Sequence, residues 1–274
     1  VADAPLIRIF SDVHYGDRGS RVRSLDQLSP LVHGPGALVL NGDLLDTRPG
    51  PDPDRTRADR IAAQDFFARA GTPTTFVTGN HDPDLSTVHA LELAEGRLLA
   101  THGDVLFDDI VPWGRDAAVI SRRIHAEFAA IPAEAAPLLE RRLAALRRVA
   151  AAIPQRHQSE RHLLRYLAGL AADTLWPPHR LRSVLRAWRE LPERAAALAR
   201  DHRPRARFIV VGHTHRPGIW TTPSGVVVIN TGSFGPLLGG LLADVVPGAL
   251  RIRRIESRRG EFHAGDKVAE FALA

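Results

Sequence analysis

The sequence predicts an α/β fold with a β-rich end, and three observations lead there. Short, strongly apolar segments at residues 6–11, 37–41 and 74–78 are separated by stretches long enough for helices. Their lack of polar alternation fits a sheet covered on both faces. From residue 206 onward, apolar runs are instead joined by tight turns, the signature of hairpins.

The elements follow in order. Residues 21–28 and 56–69 read as helices, and the Pro-rich stretch Arg48-Pro49-Gly50-Pro51-Asp52-Pro53 between them as a loop, either a plain connector or one that touches substrate. A hairpin turns at Glu95-Gly96. Residues 113–204 are rich in Ala, Leu and Arg and read as several helices punctuated by proline. Strands follow at 206–211, 218–221 and 225–230, the last two turning at Pro223-Ser224-Gly225, then a hairpin at Pro247-Gly248 and a final strand at 268–273. The expected organisation is a core made of 1–112 and 205–274, interrupted by a helical insertion at 113–204 that serves as a cap or lid. In one insertion helix Leu139, Leu143, Leu146, Ala150 and Ile153 recur at helical spacing, with Arg141, Arg142, Arg147 and Arg148 on other faces. Two readings stay open: a cap with its arginines in water, or a lid that admits an acyl chain and meets anionic lipid.

Five short segments gather residues suited to bind metal, in one fixed order. They are Asp12-Val13-His14, Gly42-Asp43, Gly79-Asn80-His81-Asp82, His102-Gly103-Asp104 and Gly212-His213-Thr214-His215. Each follows a predicted strand, which places all five at carboxyl ends, where open α/β sheets bind ligands. Period-two alternation predicts that Asp12 and His14 share a side, as do His213 and His215. Asp43 is the carboxylate best suited to bridge two cations. Mixed nitrogen and oxygen ligands suit Mn, Fe, Zn, Co or Ni rather than Ca. His33, His89, His125, His157, His162, His179, His202 and His263 lack such context and read as surface or packing residues. Thr231 and Ser233, just past a strand, either shape the site floor or form a turn.

In order and residue type, these segments resemble the calcineurin-like metallophosphoesterase superfamily, over roughly the first hundred residues and the last seventy. The resemblance implies a two-sheet sandwich flanked by helices. It implies two divalent metal ions, Mn foremost, the first held by Asp12, His14, Asp43 and His215, the second by Asp43, Asn80, His102 and His213. Hydrolysis of a phosphate ester or diphosphate would then proceed by a metal-bridging hydroxide, with cations roughly 3.5 to 4 Å apart. His81 would protonate the leaving group or steady the phosphoryl group, oriented by Asp46 or, second, Asp82. Within the superfamily the chain is nearest to bacterial UDP-2,3-diacylglucosamine pyrophosphatase-like proteins of lipid A biosynthesis. That likeness rests on Thr101-His102-Gly103-Asp104, Asp108-Asp109, Gly212-His213-Thr214-His215-Arg216-Pro217 and a helical insertion at the same place. Those enzymes commonly carry arginine where this chain has His81, the form typical of general phosphoesterases. A soluble phosphomonoesterase or phosphodiesterase acting on nucleotides or phosphoprotein is the alternative.

Composition sets bounds on the chemistry. With no cysteine among 274 residues, thiolate ligands, cysteine nucleophiles and disulfides are excluded. Lys267 is the sole lysine, and the net charge of +5 favours anionic partners, either a small phosphoester or a nucleotide-linked lipid. Scattered arginine with little interleaved aromatic character argues against nucleic acid. No apolar run reaches membrane-spanning length, so the expectation is a cytoplasmic protein, with peripheral contact at an anionic inner membrane face left open. The sequence does not set the oligomeric state.

Overall fold

The computed structural model of the protein describes residues 5–135, 138–155, 162, 164–166, 168–169 and 176–273. His157 lies outside them. Two mixed sheets form the centre. The first runs β11-β10-β9-β1-β2-β3, from β1 (Ile7–Phe10), β2 (Ala37–Asn41), β3 (Thr74–Val77), β9 (Leu241–Val246), β10 (Ala249–Arg258) and β11 (Glu261–Ala272). The second runs β4-β5-β6-β8-β7, from β4 (Ala90–Leu93), β5 (Leu98–Thr101), β6 (Phe208–Val211), β7 (Gly218–Thr221) and β8 (Val227–Asn230). β1, β2 and β3 pair in parallel, as do β5, β6 and β8.

Side-chain alternation along these short strands builds the layers. Ile9 and Val39 face the interior between the sheets with Ala100, Val210 and Ile229. Their neighbours Phe10, Leu38 and Leu40 turn the other way, onto Leu28, Leu31, Phe66 and Phe67. On the second sheet Leu99, Ile209 and Val211 face Leu143, Leu146, Leu191 and Ala195 of the insertion helices. The result is helices outside two packed sheets, as expected for the superfamily sandwich. Strands that are apolar on both faces are what this burial demands.

Local signals explain the boundaries. α1 is a single turn, Ser29–Val32, preceded by a 3₁₀ turn at Leu25–Leu28 that a Ser24/Gln27 capping box opens. The continuous helix expected at 21–28 is therefore broken, because Ser24 takes the cap position three residues late. α2 (Pro53–Ala70) begins earlier than expected: Asp52 accepts from Arg55 N–H at 3.1 Å, Pro53 occupies the first turn, and Gly71 ends the helix at φ +70°. α3 (Ala117–Ala129), α4 (Leu139–Ala151) and α5 (His179–His202) lie within residues 113–204. α4 buries Leu139, Leu143, Leu146 and Ala150 as its spacing predicts, but Arg147 is also buried, paired with Asp104, rather than facing water. β11 is longer than expected and pairs with β10 as a second hairpin across Arg259-Gly260, both at positive φ. Among the described residues no helix is long and apolar enough to cross a membrane.

Candidate metal centre

Because β1, β2 and β3 are mutually parallel, and β5 and β6 likewise, the five segments leave the sandwich at strand carboxyl ends. The side chains do not simply continue strand alternation. β1 ends at Phe10, and Asp12, His14, Asp43, His213 and His215 all have φ between +49° and +67°. Left-handed backbone is costly for residues with a Cβ and concentrates at functional sites. The expectation from alternation therefore fails for His213 and His215, which turn to different partners.

Asp12 and His14 do converge, their Oδ1 and Nε2 lying 3.8 Å apart. His215 Nε2 stands 3.1 Å from Asp12 Oδ1 and 3.1 Å from His14 Nε2. His213 instead places Nδ1 2.8 Å from Asn80 Oδ1, which is 3.2 Å from His102 Nε2. Between these two sets lies Asp43, whose Oδ2 is 3.8 Å from His14 Nε2 and 3.2 Å from His102 Nε2. Asp12 with His14 and His215, His14 with Asp43 and His81, and Asp12 with Asp43 and His102 each bring ligand atoms within 4.8 Å of one another.

Outer partners fix which imidazole nitrogen faces inward. Asn41 O lies 3.1 Å from His102 Nδ1, and Ile110 O 2.7 Å from His213 Nε2. Each carbonyl accepts from the outward ring nitrogen, so His102 Nε2 and His213 Nδ1 are the nitrogens directed toward Asn80 and the centre. Asn41 itself ties the sheets together by donating from Nδ2 to Thr101 O and Val210 O. Ser11 Oγ donates to Asp12 and is 2.6 Å from Thr231 Oγ1, so Thr231 supports the first set from behind. Ser233 caps a turn by accepting from Gly235 N–H. Close approach demands glycine at two points: a Cβ on Gly79 would overlap the Asp43 carboxylate, and one on Gly212 the Asp12 carboxylate and Ser11 hydroxyl.

Electrostatics match a cation site. Burial alone would raise Asp43, but the imidazoles of His102 and His81 hold its carboxyl well below the usual range. Burial would likewise lower His102, yet Asp43 and Asp12 lift it to about 10; His14 is lifted to about 9 by the same carboxylates. His213, buried and next to His102, drops to about 4. Carboxylates and imidazoles packed this closely stabilise one another only when positive charge lies among them, and the mixed donors Asp, His and Asn suit divalent transition metals. The residues fit such ions.

His81 stands beside this cluster. Its ring Nδ1 is 2.9 Å from Asp46 Oδ2 and 2.8 Å from Arg48 Nη2, while Arg48 grips Asp46 bidentately at 2.9 and 2.6 Å. The ring lies edge-on to His14, centroids 5.0 Å apart. Burial and then the Arg48 guanidinium lower the His81 pKa. Asp46 is thus the carboxylate within hydrogen-bond reach of the His81 ring. Asp82 turns elsewhere: its oxygens accept the backbone N–H groups of Asp43, Leu44 and Gly79 at 3.0, 2.7 and 2.7 Å. Arg48, which sequence reasoning places only within the Pro-rich loop and gives no role, is buried at the site; membership of that loop is the one sequence signal that points to it. His89 bonds Thr78 Oγ1 away from the centre.

A profile described as calcineurin-like phosphoesterase matches residues 6–217. No curated protein matches the chain. Among solved structures, a dimetal phosphatase from Danio rerio is similar at 15% identity and TM-score 0.48, covering 99% of this chain and 100% of that one. A predicted phosphoesterase from Streptococcus pneumoniae is similar at 16% identity and TM-score 0.40, covering 99% of both chains. Vacuolar Protein Sorting 29 from Cryptosporidium parvum is similar at 11% identity and TM-score 0.42, covering 97% of both.

Proposed function

Since the chain belongs to the calcineurin-like phosphoesterase family and is a metal-dependent phosphoester hydrolase, we propose that it works with two divalent ions held in the two side-chain sets described above. Asp12, His14, Asp43 and His215 would hold one ion, and Asp43, Asn80, His102 and His213 the other. The observation that carries this reading is the placement of Asp43 between both sets. Bound there, two such ions would polarise a phosphoryl group and make a coordinated water acidic.

The chain's own residues supply the rest. Asp46 accepts the proton on His81 Nδ1, which leaves Nε2 as the atom that gives a proton to the departing oxygen. Burial and Arg48 lower the His81 pKa, so the imidazolium that donates from Nε2 is a stronger acid than a free one and a minority species at neutral pH. The His215 side chain is 44% exposed while His102 is wholly buried, so substrate would enter over His215.

Residues 113–204 act, in this reading, as a fixed cap on a core of 1–112 and 205–274. The finer substrate is a nucleotide-linked diphosphate bearing acyl chains, such as UDP-2,3-diacylglucosamine, on the strength of exposed Leu181, Leu185 and Trp176 in the insertion. A soluble nucleotide or phosphoprotein ester is the second reading, favoured by His81. Metal analysis should give two ions per chain, with Mn the preferred activator. UMP release from UDP-2,3-diacylglucosamine, measured with added Mn beside a generic phosphodiester and a monoester, separates the two substrates. Turnover of the generic esters alone would overturn the lipid reading, and turnover of none the hydrolase reading.

A further inference from the structure

The loop carrying Asp46 and Arg48 has little regular structure of its own, and its backbone carbonyls need partners. One residue supplies most of them. Gln155, four positions beyond the end of α4, donates from Nε2 to Asp46 O at 3.1 Å, to Arg48 O at 2.9 Å and to Thr56 Oγ1 at 3.3 Å. Its backbone N–H donates to Pro49 O at 2.7 Å. The side-chain oxygen packs against Gly50 so closely that a Cβ there would overlap it. Gln155 therefore clasps three carbonyls, at 46, 48 and 49, of the loop that brackets His81.

Resting on the phosphoesterase reading and on His81 as its proton donor, we propose that Gln155 is a positioning residue that sets the His81 ring through loop 46–50. The causal chain is short. Gln155 fixes the backbone at 46 and 48, this backbone fixes the Asp46 and Arg48 side chains, and those two side chains meet the same ring nitrogen. A glutamate at 155 keeps the size and the backbone bond but loses the N–H donors and turns a charged oxygen toward carbonyls. It should fail like alanine; a residue needed only to fill space would tolerate it.

The test is a double-mutant cycle on the full chain with added Mn and an aryl phosphodiester. Gln155→Ala and Gln155→Glu should each lower kcat by roughly tenfold or more, as a small misplacement of a catalytic group does. In a His81→Ala background the same changes should alter kcat by less than about twofold, because the group they position is gone. Hydrogen exchange read in parallel should quicken at the amides of 46–50 and 81 while staying constant in β1 and β2. An equal loss in both backgrounds, or unchanged exchange at 46–50, would overturn the proposal. Should the wild-type protein hydrolyse no ester, the functional reading fails by itself. Loop exchange and the His81 ring resonance in the two Gln155 variants still decide the positioning role. Both variants retain the backbone bond to Pro49 O; if either unfolds, Gln155→Met, which fills the same space without N–H donors, carries the comparison.

Discussion

Asp43 and Asp82 hold each other's loops. Asp43 Oδ1 accepts the His81 N–H at 2.9 Å, while Asp82 Oδ1 accepts the Asp43 N–H at 3.0 Å. Each carboxylate thus fixes the backbone on which the other segment's functional side chain stands. A buried aspartate beside a metal-type motif here accepts backbone N–H groups, and what their loss would do is testable.

Asp82→Ala should destabilise the protein by about 3 kcal/mol or more, because three buried N–H groups lose their acceptor. Chemical denaturation would read this, and the expected companion is weaker metal binding, since the backbone of Asp43 moves. Unchanged stability would show that water replaces the carboxylate.

Asp43→Asn should reduce bound metal, because the carboxylate between the two sets becomes neutral and one of its oxygens becomes a donor. Metal analysis after dialysis is the measurement. Full retention of two ions would remove Asp43 from the bridging position.

His81→Ala should lower turnover by roughly 10²-fold or more with metal content unchanged. The loss should grow with the leaving group's pKa, since a poor leaving oxygen depends most on a donated proton. An equal loss across good and poor leaving groups would reassign His81 from proton donor to phosphoryl stabiliser.

Stripping the metal should leave a protein whose stability falls as pH rises. Despite burial, Asp43 and Asp12 raise His102 to about 10 and His14 to about 9 from an ordinary 6.5. A raised folded pKa stabilises fully below the unfolded value and is lost as pH climbs through the folded value. The decline should therefore span about pH 6.5 to 10 in thermal melts of stripped protein. Metal uptake must expel those protons, so affinity should increase with pH over the same window. A flat profile would show that the imidazoles are neutral without metal.

Most of the strands and the whole ordered set of five segments were legible in the sequence. Apolar runs such as Phe208-Ile209-Val210-Val211 have one stable use, a strand covered on both faces, and their ends locate the segments. Less legible was the local turn geometry: nothing in Asp-x-His spacing announces left-handed backbone at both ends, so His213 and His215 part where alternation kept them together. Arg147 escaped for a related reason. Helical periodicity puts an arginine on a face, but a buried partner such as Asp104, 43 residues away in sequence, decides whether that face is wet. Arg48 and Gln155 were hidden because both act through irregular loops, whose contacts have no period to read.

The ion pair between Arg147 and Asp104 has one more consequence. Arg147 belongs to the insertion, and Asp104 sits two residues after His102, at 2.5 Å from the guanidinium. Trp188 makes a similar junction by donating from Nε1 to Thr214 O, between His213 and His215. Residues 113–204 are thus no detachable cassette. Transplanting that stretch from a relative, to borrow its substrate range, would import a foreign set of anchors into the ligand loops. A chimera that exchanges only the outward faces of α3 and α5, and leaves Arg147 and Trp188 in place, would keep its ligand loops while its specificity changed.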